Sequence, residues 1–144
     1  RPETKAFIDG RFVDSASGKS FNTINPATGK VVASVAETDR EDVDRAVAAA
    51  RSAFNKGSWR NLAPRDRKVA LLRLADLVEK HQEEFAVLEC LDTGKPVLDA
   101  LNADVPDAIA TLRWHAEAID KIYDAVSPTS ADIVSMVVRE PIGV

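Results

Sequence analysis

Around Thr38 the hydrophobic pattern of this chain changes period, and the change separates segments that fold by different rules. Before it, apolar pairs alternate with turn residues. Phe7-Ile8, Asp9-Gly10 and Phe12-Val13 spell a tight hairpin, since Asp-Gly suits the positive φ angles of a two-residue turn. Phe21–Ile24 runs into Asn25-Pro26-Ala27-Thr28-Gly29-Lys30, rich in breakers and caps, and Val31–Val35 resumes a strand. Residues 6–37 are therefore expected to form an antiparallel meander.

After Thr38, the residues Val43, Ala46, Val47, Ala50 and Phe54 recur at helical spacing behind Thr38-Asp39-Arg40-Glu41, whose acidic start suits a helix N-terminus. This helix should run to about Asn55 and stop at Gly57. Trp59 and Leu62 cross a loop, and Pro64 fits the first turn of a second helix, on which Arg73, Asp76 and Lys80 form a polar strip among apolar faces. A third helix, roughly Gln82 to Leu91, ends at Thr93-Gly94-Lys95-Pro96, where Gly94 suits a left-handed cap and Pro96 forbids continuation. A fourth helical region spans Val97 to Asp124, with Ile109, Leu112, Ala116, Ile119 and Tyr123 as one stripe and Pro106 as a kink or division. Beyond Ser127-Pro128-Thr129-Ser130, the β-branched run Asp132–Arg139 reads as a long extended strand. The pattern predicts an α/β fold: a hairpin or meander, four helical regions, then an extended arm.

The 144 residues, 45% hydrophobic and 29% charged, suffice for one ordinary domain with a core. Charge is interspersed, with a net of -4 and a pI near 5.2, so no basic face invites nucleic acid or an anionic membrane. The longest apolar runs, such as Val69–Leu72 and Ile133–Val134, fall far short of a membrane span, and nothing resembles a secretory signal. A soluble cytoplasmic protein is the expectation. The single cysteine, Cys90, provides neither an internal disulfide nor a cysteine-rich zinc site. The chain opens at Arg1 without a methionine, and Ile142 and Val144 read as the start of a buried strand, so both ends are expected to be cuts in a longer polypeptide.

No glycine-rich turn joins a strand to a helix, so the backbone cradle that a dinucleotide pyrophosphate needs is absent, and Thr93-Gly94-Lys95-Pro96 lacks the spacing of a phosphate loop. Cys90 sits among Leu88, Glu89 and Leu91 without an obvious base, which fits core packing better than nucleophilic attack. His81 reads as a solvated residue near a helix end and His115 as a partly packed neighbour of Trp114. Neither has the clustered partners of a metal or triad site.

Three segments carry a resemblance: Ile24-Asn25-Pro26-Ala27-Thr28-Gly29, Leu88-Glu89-Cys90-Leu91-Asp92-Thr93-Gly94-Lys95-Pro96 and Arg139-Glu140-Pro141-Ile142-Gly143-Val144. In this order and at these separations they resemble aldehyde dehydrogenases, and the likeness extends through Glu41–Val47 and Leu74–Leu77. Arg113-Trp114-His115-Ala116-Glu117-Ala118-Ile119-Asp120-Lys121 most resembles the branch acting on γ-glutamyl-γ-aminobutyraldehyde and related ω-amino aldehydes. The resemblance implies the N-terminal part of an NAD(P)-dependent enzyme with a Rossmann-like cofactor domain, a catalytic domain and a small oligomerisation arm. Residues 1–125 would belong to the cofactor domain, 126–139 to the arm and 140–144 to the return into the cofactor domain. Such enzymes attack the aldehyde with a cysteine thiolate, pass hydride to NAD or NADP, and hydrolyse the thioester with a glutamate-activated water. Those residues would all lie downstream, with the asparagine that holds the oxyanion. Cys90 does not match the family's nucleophile motif.

The resemblance further implies three contributions from this chain. A monovalent cation would lie near Thr23, Ile24 and Asp92, whose oxygens suit a hard ion. Independently, Asp92 falls in the last turn of a helix, where a carboxylate opposes the helix dipole unless a cation compensates, a role open to the ion or to Lys95. Hydrogen bonding of Asp92 to the Thr93-Gly94 turn is the competing reading. Asp104 and Asp107, three apart on one helical face, would stand at the rim of the substrate tunnel and attract a cationic amino aldehyde, or else mark a solvated helix start beside Pro106. Ile133, Val134, Met136, Val137 and Val138 lie on the strand that would reach a neighbouring subunit of a dimer or tetramer. The implied partners are a small-molecule aldehyde, the protein's own downstream polypeptide and further copies of itself, with NAD or NADP as cofactor. The competing functional class is a non-catalytic helical interaction module derived from the same fold. An intact mass near 15.6 kDa would leave that class open and a much larger one would exclude it.

Overall fold

A computed structural model of the chain describes residues 2–143. Its elements run in the order β1 (Ala6–Ile8), β2 (Arg11–Val13), β3 (Ser20–Ile24), β4 (Val31–Ala36), α1 (Arg40–Lys56), α2 (Ser58–Asn61), α3 (Pro64–Lys80), α4 (Gln82–Thr93), α5 (Val97–Asp99), a π-helical turn (Ala100–Asp104), α6 (Val105–Ala118), β5 (Ala125–Ser127) and β6 (Ser135–Val137).

The expected meander is two separate hairpins. β1 pairs antiparallel with β2 around Asp9-Gly10, both at positive φ (51° and 74°), as the turn chemistry requires. β3 pairs with β4, and the register shifts between Thr23 and Ile24. The strands do not merge into one sheet because the intervening segment is pulled away onto α1. The carboxylate of Asp42, 1% exposed, accepts both contacts of the Ala16 amide at 3.1 and 3.2 Å. The same carboxylate closes a capping box with Asp39 at the start of α1, so the helix begins one residue later than its acidic signature suggested and is anchored by a long-range bond.

The helices pack mainly through α3 on α6. The core is small: Ala75, Ala86, Ala100, Val105 and Ile109, flanked by Val78, Cys90, Leu101 and Leu112. Alanine at three of these positions lets backbones approach closely but buries little area. Large apolar residues are left exposed, among them Leu77 at 55% and Phe85 at 47%. At the far ends of α3 and α6, Lys68 bridges Glu117 at 2.7 Å and Asp120 at 3.3 Å. Hydrogen bonds from Lys68 and then Lys121 hold the Glu117 carboxyl below its usual range.

Three features differ from the sequence expectation. The last long helix ends at Ala118, not Asp124, because the Lys121 ammonium donates to the Glu117 carbonyl at 2.7 Å and the backbone tightens into a turn, leaving Tyr123 80% exposed and off the stripe. Pro106 neither kinks nor splits that helix. It occupies the first turn of α6, and the adjustment occurs just upstream, where the Val105 amide bonds the Ala100 carbonyl across a π-helical turn. The long strand Asp132–Arg139 is likewise shorter than expected: only Ser135–Val137 is strand, paired with β5, an element the sequence reading omitted. Arg139 closes the base of this hairpin, its amide reaching Asp124 at 3.1 Å and its guanidinium the Tyr123 carbonyl at 2.6 Å. Val144, part of the expected buried strand, lies outside the described residues. Among the described residues no helix is long and apolar enough to cross a membrane.

Candidate functional site: a cleft between the second hairpin and α4

The β3–β4 hairpin and helices α4 and α6 enclose an open cleft of about 580 Å³, walled by Val32, Val35, Phe85, Leu88 and Leu112 and edged by Thr23, Glu89, Asp92 and Asp104. Its position follows from two local devices. Asn25 folds the hairpin turn by accepting the Ala27 amide at 2.9 Å, and Gly94, at φ 75°, ends α4 with its amide on the Cys90 carbonyl. The two turns meet so closely that a Cβ on Gly94 would stand 2.9 Å from Pro26 Cγ.

That contact brings together residues 69 positions apart. The Thr23 hydroxyl faces Asp92 Oδ1 at 3.4 Å, longer than an ordinary hydroxyl–carboxylate hydrogen bond. Ile24 adjoins them at the register shift of the hairpin. The α4 cap itself is served by Thr93, whose hydroxyl donates to the Glu89 carbonyl at 2.8 Å and accepts from the Lys95 amide at 3.4 Å. Asp92 does not bind that turn, so the competing hydrogen-bond reading for Asp92 is corrected.

Lys95 does not compensate Asp92 either. Its ammonium bonds Glu89 at 3.3 Å and Asp104, and these contacts, with that of Asp104 the larger, raise its pKa above the ordinary lysine value. Asp104 is half-buried and paired with Lys95, whereas Asp107 is exposed in the first turn of α6. The two aspartates do not act as a free acidic pair. The Glu89–Lys95–Asp104 bridge escaped the sequence reading because its members are six and nine residues apart across a left-handed cap, outside helical pair spacings.

Cys90 is half-buried against the core, as expected. His81 is exposed beside Glu84, 3.4 Å away. His115 is exposed rather than partly packed: its Nδ1 meets the Thr111 carbonyl at 2.9 Å and its ring lies edge-on to Trp114 at 4.9 Å. Among the described residues no three His, Cys, Asp or Glu side chains group to hold a metal ion. The β4–α1 join, Glu37-Thr38-Asp39, carries no glycine, so these residues do not fit a dinucleotide pyrophosphate at that helix start. Among the described residues, the cleft joins an apolar wall to a polar edge of Thr23, Glu89, Asp92 and Asp104.

Known proteins share this arrangement. The family model described as aldehyde dehydrogenase family matches residues 12–144. An aminoacetaldehyde dehydrogenase of Pseudomonas aeruginosa is 56% identical over 140 residues, covering 97% of this chain and 28% of that protein. Among solved structures, an indole-3-acetaldehyde dehydrogenase of P. syringae in complex with NAD+ superposes with a TM-score of 0.96 at 47% identity, over 99% of this chain and 29% of that one. A γ-glutamyl-γ-aminobutyraldehyde dehydrogenase of Burkholderia cenocepacia gives 0.95 at 47% identity, over 98% and 29%. The chain thus spans a little over a quarter of the relatives it matches.

Proposed function

Because the chain belongs to the aldehyde dehydrogenase family, we propose that it is the N-terminal scaffold of an NAD(P)-dependent enzyme that oxidises aldehydes, ω-amino aldehydes among them, to carboxylic acids. The supporting observation is the 56% identity to a protein named for aminoacetaldehyde, above the 47% to the indole-3-acetaldehyde enzyme. The nucleotide, when bound, supplies the hydride acceptor. No step of the oxidation falls to residues described above, since the family's catalytic groups lie downstream of this segment.

What the chain contributes is a frame with two polar edges. Thr23 and Asp92 would hold a monovalent cation with the Ile24 carbonyl: oxygens at right angles around an ion and ~2.4 Å from it stand about 3.4 Å apart, close to the Thr23–Asp92 separation. Asp107, the member of the two aspartates without an ion pair among the described residues, would be the one left to attract an amino aldehyde. In the whole protein, NADH absorbance should rise with aminoacetaldehyde, and Asp107→Asn should raise KM for that cation several-fold while sparing a neutral aldehyde of equal length. Equal effects on both substrates would remove Asp107 from substrate selection. No turnover by the whole protein would leave the interaction-module reading standing.

The β5–β6 hairpin serves oligomerisation. Its side chains Ile133, Val134, Met136, Val137 and Val138 are all more than half exposed, and a lone two-stranded hairpin is at best marginal in water without a packing partner. Light scattering on the whole protein is expected to give a multimer that Val134→Asp dissociates; an unchanged mass would detach the hairpin from assembly.

A further inference from the structure

We infer that Glu89 and Asp104 hold the Lys95 ammonium away from Asp92 and so keep the Thr23–Asp92 oxygens available to a monovalent cation, an inference that rests on the cation reading above. A lysine ammonium is itself a compact monovalent cation on a flexible stem, with the charge and donor preference that those oxygens would accept. Lys95 lies three residues after Asp92, and Asp92 occupies the negative end of the α4 dipole, where a positive charge is favoured. Left to itself, the ammonium is the natural competitor of the ion.

Two features of the fold divert it. Glu89 sits one helical turn before Asp92, and Asp104 is delivered by the π-helical turn, so the carboxylates approach Lys95 from different segments. Both pairs are about two-thirds buried, with side-chain exposures of 32, 33 and 38% for Lys95, Glu89 and Asp104, and are less screened by water and salt than a contact with exposed Asp92. The raised lysine pKa is consistent with a charge settled between two acceptors.

The test uses the whole protein and follows Tm during titration with KCl or NaCl against choline chloride at equal ionic strength, since an ion that binds only the folded state raises Tm. The wild type should show a rise specific to the small cations. The Glu89→Gln/Asp104→Asn variant should lose most of it, and adding Lys95→Met to that variant should restore it. Restoration separates competition by the freed ammonium from simple damage to the cleft. The inference is overturned if the double variant keeps the full rise, or if removing Lys95 from it restores nothing. A wild type without any cation-specific rise overturns the cation reading itself, and this inference with it.

Discussion

Replacing Asp42 with alanine is expected to cost about 1–3 kcal/mol of stability, because two part-buried backbone amides would lose their acceptor at ~0.5–1.5 kcal/mol each. The carboxylate is 1% exposed and serves three donors at once. It takes the Ala16 amide at 3.1 Å, the Asp39 amide at 3.4 Å and the Arg45 guanidinium at 3.3 Å. The Ser15 hydroxyl also lies 3.3 Å away, but its single hydrogen goes to the nearer Glu37 carbonyl at 2.6 Å, so that contact contributes little. Asp42→Asn keeps one carbonyl acceptor and turns an amide group toward the remaining donors, and an intermediate loss follows. Urea melts of the whole protein give the magnitudes, and hydrogen exchange at the Ala16 amide gives the location. If alanine cost less than ~1 kcal/mol and left that amide protected, Asp42 would not be the tether between the first hairpin and α1.

The elements legible in the sequence are those whose causes are local. Asp9-Gly10, Pro64 and Gly94 each solve a backbone problem within a few residues, and each stands where its chemistry requires. What local periodicity could not reveal is set by partners far along the chain. The two hairpins separate because Ala16 reaches Asp42, 26 residues on, and no alternation of apolar residues encodes that bond. β5 is three residues long and followed directly by Pro128, too short for a period to register. The site divides the same way. Only family resemblance, and no spacing, links Thr23 to Asp92, and the structure brings them to 3.4 Å. The fate of Lys95 depended on a π-helical turn, and a single extra residue in a helix leaves no signature in an apolar stripe.

Gly94→Ala is expected to destabilise the protein by about 2–4 kcal/mol, and to do so at the cleft. Part of the loss is conformational: φ is 75°, in the left-handed region, where a side chain costs ~1–2 kcal/mol. The rest is steric, since the new Cβ would lie 2.9 Å from Pro26 Cγ and 3.2 Å from the Ala27 amide nitrogen. The proline ring can pucker aside by a little; the Ala27 backbone is held by Asn25 at 2.9 Å and has less freedom. Gly10→Ala provides the reference, because Gly10 has φ 74° with nothing within 4 Å of its Cβ position. It should show the conformational cost alone, so the excess at Gly94 measures the contact between the α4 cap and the hairpin turn. Pushing those turns apart also separates Thr23 from Asp92, which flank them by two residues or fewer on one side each, and any cation-specific rise in Tm should fall with it. Equal losses at Gly94 and Gly10, with Pro26→Ala giving no relief in the Gly94→Ala background, would mean that the two turns do not bear on one another and that something else closes this side of the cleft.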